Sequence, residues 1–263
     1  MTLPIYQVDA FTDQLFRGNP AGVCLLDAPR PDAWLQAVAQ EMNLSETAFL
    51  LPEGDGYRLR WFTPAVEVRL CGHATLSSAH ILWSSGRVPA NQTLRFQTLS
   101  GLLTARQEDG LIWLNFPSRP ASPTEAPAGL LEALGVQPLY VGRSLEDYLV
   151  EVASEQEVLN CQPDFSALRA VPARGLILTS RPKDGRVDFV SRFFAPAVGV
   201  NEDPVTGSSH TVLAPYWADK LGKNELRAEQ VSRRGGSLHL RLLSERVEIG
   251  GHAVTVFSGE LAG

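Results

Sequence analysis

Apolar and polar positions alternate with a period of two along much of this chain. The stretch 5–11 alternates and predicts a strand, and 23–26, an unbroken apolar run, predicts a buried one. Gly18-Asn19-Pro20-Ala21-Gly22 between them has turn chemistry. Pro31 and Asp32 open a helix that runs to about Met42, with an acid in its first turn. Short strands are expected at 47–51 and 57–62. From Cys71 to Ser85 small and apolar residues recur at helical spacing, and Gly86 suits the helix end. Strands at 93–97, 102–107 and 111–116 follow, the last two joined by Asp109-Gly110, a hairpin signal. The second half opens with a short helix at 128–134 and holds a longer one at 208–221, ended by Gly222. It closes with strands at 238–243, 247–249 and 253–260.

Residues 117–127 contain four prolines, which break both strand and helix. This segment is the expected linker, dividing the chain into a first half at 1–118 and a second at 119–263. An internal repeat supports the division. Phe62-Thr63-Pro64-Ala65-Val66-Glu67-Val68 recurs as Phe194-Ala195-Pro196-Ala197-Val198-Gly199-Val200, an offset of 132 residues. Continued without gaps, the register sets Cys71 opposite Asp203 and Thr75 opposite Gly207. Each copy then leads a strand into a helix start. Such a start carries unpaired N–H groups and the positive end of the helix dipole. Two of them facing one cleft would suit an anionic small molecule.

Composition narrows the class. The 263 residues are 44% hydrophobic and 20% charged, which is ordinary for a globular protein. The formal charge of -6 makes nucleic acid or an anionic membrane an unexpected partner. No apolar run is long enough to span a bilayer, and Met1-Thr2-Leu3-Pro4-Ile5 has no signal-peptide character. Three cysteines with no CxxC argue against a disulfide framework and against zinc, so a cytoplasmic setting is expected.

Candidate chemistry gathers at three places. Glu46, in Leu44-Ser45-Glu46-Thr47, follows a helix end and precedes an apolar strand. It is either a solvated loop residue or a carboxylate desolvated enough to act as acid or base. His73 is either a core or capping histidine or a site residue. Asp203, before Pro204, could simply cap the next helix. Cys71 beside Leu70 reads as a small buried apolar residue. Ser208, Ser209 and His210 are helix neighbours that do not face one another, and no GxSxG is present, so a serine hydrolase is weakly supported. HExxH, GxGxxG and Walker A patterns are missing, and no metal or cofactor is expected. Arg233-Arg234 reads as a basic turn more often solvated than anion-binding.

Val8-Asp9-Ala10-Phe11-Thr12, Gly18 to Val23, Ser45 to Phe49, Cys71-Gly72-His73-Ala74-Thr75, Glu202 to Ser208 and Phe257 to Leu261 occur in the order found in one family. Through them the chain resembles the phenazine-biosynthesis PhzF-like family, which shares the diaminopimelate epimerase fold. The resemblance implies an α+β protein of two similar domains, each a curved, mostly antiparallel sheet around a central helix. It implies a homodimer, no coenzyme, and a cleft site for a small carboxylated substrate. The phenazine-pathway member acts on dihydro-3-hydroxyanthranilate, a cyclohexadiene carboxylate. Carried over, Glu46 is the proton shuttle, while His73 and Asp203 hold and polarise the substrate. Asn19, Ser45, Gly72, Gly207 and Ser208 match site-lining positions. Related epimerases carry a cysteine at each helix-start turn. Here Cys71 matches one and Asp203 stands at the other, which speaks against a two-thiol racemase. A racemase or epimerase of amino or hydroxy acids, and a non-catalytic binding protein, stand as alternatives. The segment Ser232-Arg233-Arg234-Gly235 departs from the form associated with the phenazine enzyme and leaves the substrate open.

Overall fold

The computed structural model describes residues 2–262. The first half of the chain runs β1 (Leu3–Ala10), β2 (Asn19–Leu25), α1 (Asp32–Met42), β3 (Glu46–Glu53), β4 (Gly56–Phe62), β5 (Glu67–Val68), α2 (Gly72–Ser84), β6 (Leu94–Thr98), β7 (Gly101–Glu108), β8 (Leu111–Pro117) and β9 (Ser122–Pro123). The second half runs α3 (Leu130–Leu134), β10 (Tyr140–Arg143), β11 (Asp147–Glu151), α4 (Glu155–Asn160), α5 (Phe165–Leu168), β12 (Gly175–Ser180), β13 (Phe189–Ala195), a 3-10 turn (Pro196–Val198), β14 (Val200–Asp203), α6 (Gly207–Leu221), β15 (Glu225–Gln230), β16 (Gly236–Leu243), β17 (Arg246–Gly251) and β18 (Ala253–Leu261). Among the described residues, no helix is long and apolar enough to cross a membrane.

The chain divides into two compact units: residues 1–115 with 250–263, and residues 116–249. In the first, β1 pairs antiparallel with β2, β2 parallel with β3, β3 antiparallel with β4, β4 parallel with β6, and β6 antiparallel with β7. In the second, β10, β11, β12, β13, β15 and β16 pair in the same sequence of directions. Each short strand, β5 or β14, pairs antiparallel with the strand before it. A parallel pair needs a crossover, and α2 and α6 supply the matching ones. The duplication read from seven residues therefore extends through each unit.

The helices follow their burial. In α1, Leu35, Val38 and Ala39 make one apolar stripe over a core of Leu3, Ile5, Cys24, Phe49 and Phe62. Asn43, in the left-handed region at φ 49°, ends it by donating its N–H to Ala39 O. In α2, every residue from His73 to Ala79 is buried, as are Ile81, Leu82 and Trp83. A helix enclosed on all sides must be central to its unit. Asp109 and Gly110 both have positive φ, 52° and 77°, as the two-residue hairpin demands.

Four expectations change. Residues 250–263 belong to the first unit and not to a contiguous half at 119–263, because β18 pairs along β1 from Leu3↔Leu261 to Ala10↔Ala253. The proline-rich segment is not plain linker, since Ser122 and Pro123 pair with Arg143 and Gly142. The turn expected at 18–22 shrinks to Gly18 at φ 66°, and Asn19 already belongs to β2. The ungapped repeat register also fails at its end. Cys71 is the N-cap of α2, and Thr206, not Asp203, is the N-cap of α6, because β14 is four residues long where β5 is two and its pairing with β13 is shifted.

Candidate active site

In the first unit, three chain segments bring Asn19, Ser45, Glu46, Cys71 and His73 together. Asn19 begins β2 and is fully buried. Ser45 Oγ donates to Asn19 Oδ1 at 3.4 Å. Glu46 is the first residue of β3, opposite Ala21 of β2, so its side chain is set by a ladder and not by a loop. His73 is the second residue of α2, directly after Gly72. His73 Nε2 lies 3.3 Å from Glu46 Oε2, with side chains only 7% and 19% exposed. Nε2 is buried and makes no aligned hydrogen bond. Across the ring, Nδ1 lies 3.5 Å from Cys71 Sγ.

Burial pushes the His73 imidazole down to about 3. It is therefore neutral near pH 7, with one N–H and one lone pair to offer. Ligand atoms of Glu46, Cys71 and His73 lie within 4.8 Å of one another, a donor set that could hold a soft divalent ion. The observed geometry is a row, thiol to Nδ1 and Nε2 to carboxylate, with the ring's two nitrogens on opposite edges. A row of this kind orients a ring and leaves a carboxylate beside a neutral partner.

The second unit holds Asp203, Gly207 and Ser208. Asp203 ends β14, and its Oδ2 accepts from Thr206 Oγ1 at 2.5 Å. Gln230 fixes the same turn: its Nε2 donates to Asp203 O at 2.7 Å and its Oε1 accepts from Thr206 N–H at 2.9 Å. Gly207 and Ser208 open α6, and Ser208 Oγ accepts from Arg174. His210 faces inward, and its Nδ1 lies 3.3 Å from Ser209 Oγ, closer than neighbours along a helix are expected to come. Its Nδ1 lies 2.8 Å from Thr206 O, its ring stacks on Phe189, and burial holds it down to about 4. The basic turn is tied to the Asp203 segment through Ser232 Oγ, which donates to Pro204 O at 2.8 Å.

Sequence reasoning missed the contact of Cys71, and it missed Gln230, Arg174 and Asp147 altogether. Cys71 carried a signal in its place before a helix start. The other three carry none, because their partners are 24 to 34 residues away.

Two units with one strand order, each around a buried crossover helix, define the α+β class of the diaminopimelate epimerase-like fold. A family model for phenazine biosynthesis-like proteins matches residues 8–259. An uncharacterized isomerase of Halalkalibacterium halodurans is 56% identical over 99% of both chains. The crystal structure of a PhzF-family phenazine biosynthesis protein from Enterococcus faecalis superposes with a TM-score of 0.96 at 41% identity, covering 100% of both chains. A predicted epimerase from Pseudomonas aeruginosa shares the fold, with a TM-score of 0.75 at 20% identity over 99% of both chains. The chain belongs to the phenazine biosynthesis-like, or PhzF, family.

Proposed function

We propose that this protein is a coenzyme-independent isomerase that moves a proton between carbons of a small carboxylated substrate, with Glu46 as the proton carrier. The observation that carries the reading is the Glu46–His73 pair at 3.3 Å, at the buried start of α2. An imidazolium at His73 would stabilise the carboxylate's charge and make it a poorer base, which the neutral ring does not do. Glu46 takes a proton from a carbon acidified by the substrate's carboxylate or double bond. The electron pair shifts along the π system, and the same carboxyl returns the proton at the new position. Nothing is oxidised or reduced. The family resemblance gives substrate holding to His73 in the first unit and Asp203 in the second, and lining positions to Asn19, Ser45, Gly72, Gly207 and Ser208. The names of relatives as isomerases support the reaction class, and the family resemblance supports a homodimer.

Glu46→Gln keeps the shape and removes the titrating group. Turnover, and deuterium incorporation from D2O into a cyclic carboxylate substrate, should fall about 10²–10⁴-fold. Unchanged exchange in the variant would end Glu46's claim to the role.

A further inference from the structure

Among the described residues, Glu46, Cys71 and His73 are the one group of three side chains that offers metal-ligand atoms within 4.8 Å of one another. Their donors are mixed: a carboxylate oxygen, a thiol sulfur and an imidazole nitrogen, a set that suits a borderline divalent ion such as zinc. The backbone fixes all three before any ion arrives. Glu46 is set by the pairing of β3 with β2. Cys71 caps α2, and its carbonyl accepts from Thr75 N–H at 3.2 Å and from Thr75 Oγ1 at 2.5 Å. His73 is buried, and its Nε2, sealed from water, makes no aligned hydrogen bond. A buried polar atom in that state calls for a partner.

Tetrahedral zinc holds its ligand atoms roughly 3.3–3.7 Å apart, given bonds of about 2.0 Å to nitrogen and oxygen and about 2.3 Å to sulfur. Two contacts already have that separation, Nε2 to Glu46 Oε2 at 3.3 Å and Nδ1 to Cys71 Sγ at 3.5 Å. One ring nitrogen binds one ion, so the carboxylate or the thiol closes the remaining distance, about an ångström, by rotating its side chain. Charge balances as well. Carboxylate and thiolate cancel the two charges of the ion beside a neutral ring, so the buried site carries no net charge. We propose that Glu46, Cys71 and His73 form a zinc site, and that zinc bound there switches the isomerase off by occupying its proton carrier. The thiol proton leaves to solvent as the sulfur–zinc bond forms. The switch rests on the reading of Glu46 as proton carrier, whereas the binding of zinc does not.

The test uses the intact protein, freed of metal by chelation. Zinc is titrated by calorimetry. Cobalt(II) serves as a coloured stand-in, because a thiolate ligand adds an intense ultraviolet charge-transfer band. The wild type should bind one zinc per chain, and its cobalt form should show that band. Cys71→Ser should lose the band. Cys71→Ser and His73→Ala should each weaken zinc by more than the roughly 10–100-fold that loss of an outer-shell partner costs. Cys161→Ser, in the apolar core of the second unit, should bind zinc as the wild type does. If either site variant does not fold by circular dichroism, Glu46→Gln carries the same comparison, since a neutral amide is a poor ligand. Deuterium exchange, in the assay used for Glu46→Gln, should fall in proportion to zinc occupancy and return on adding EDTA. No binding at micromolar zinc, or equal binding by the wild type and the site variants, defeats the site. Zinc held through Cys71 with exchange undiminished defeats the switch and leaves the site standing. If Glu46→Gln itself leaves exchange unchanged, the reading of Glu46 fails, and the zinc titrations still decide the site on their own.

Discussion

His73 and His210 each open a central helix, and each is buried as a neutral ring. Burial holds the first down to about 3 and the second down to about 4, below the usual histidine value of 6.5. The unfolded chain therefore binds protons that the folded chain refuses. The sign follows: this stability is fully present above about pH 6.5 and is lost as pH falls toward the folded values. Urea midpoints should drop between pH 7 and pH 4.5, with each histidine contributing on the order of a few kcal/mol across that window. His73→Asn removes one titrating group, so its midpoint should fall less steeply than that of the wild type. Equal slopes would mean that His73 is protonated in the folded protein. The residues of the first site were legible because motif and helix start coincide at Cys71-Gly72-His73. Their contacts were less so. That one ring faces Cys71 on one edge and Glu46 on the other depends on β3 and α2 meeting, which no spacing reveals.

Most elements are legible because their sequences are locally consistent: alternation for strands, small and apolar residues for α2, left-handed glycines or asparagine at ends. The strands β10 to β15 were not placed one by one, and two short helices, α4 and α5, were missed, being brief pieces with little periodicity. Their caps are plain only once seen, Ser154 accepting from Glu157 N–H and Asp164 from Ser166 and Ala167 N–H. Pairing directions were also hidden, since period two does not separate parallel from antiparallel strands. The parallel pair of β4 and β6 is short, joining Tyr57↔Phe96 and Arg58↔Gln97, and is reached through α2. Gly56 beside it sits so close that an added Cβ would stand 2.3 Å from Arg95 O. That oxygen is backbone and cannot swing aside. Gly56→Ala should therefore push β6 from β4 and cost about 1–3 kcal/mol in thermal or urea unfolding. An unchanged melting temperature would show that this pair is not tightly held.

At the scale of the molecule, the repeat explains why a contiguous cut of the chain is wrong. β9 and β18 hold equivalent places, each ending one half of the chain. Each pairs antiparallel with the strand that begins the other half, β9 with β10 and β18 with β1. The exchange is unequal, two residues against nine, so the first unit depends on its borrowed strand far more than the second. Cut after residue 115, the first unit would leave one edge of β1 open, and an open edge invites aggregation. The register supplies the remedy. Leu3 lies opposite Leu261, so the end of β18 and the start of β1 are neighbours that a short turn can join. A chain written as residues 250–262, a turn of about two to four residues, then 2–115 restores the β1–β18 pairing and keeps those from β1 to β7 in a new order, leaving only β8 without most of its partner β17. It should be soluble and melt cooperatively, whereas residues 2–115 alone should aggregate or melt without a cooperative transition. Equal behaviour of the two chains would show that β18 is dispensable to the fold that carries Glu46 and His73.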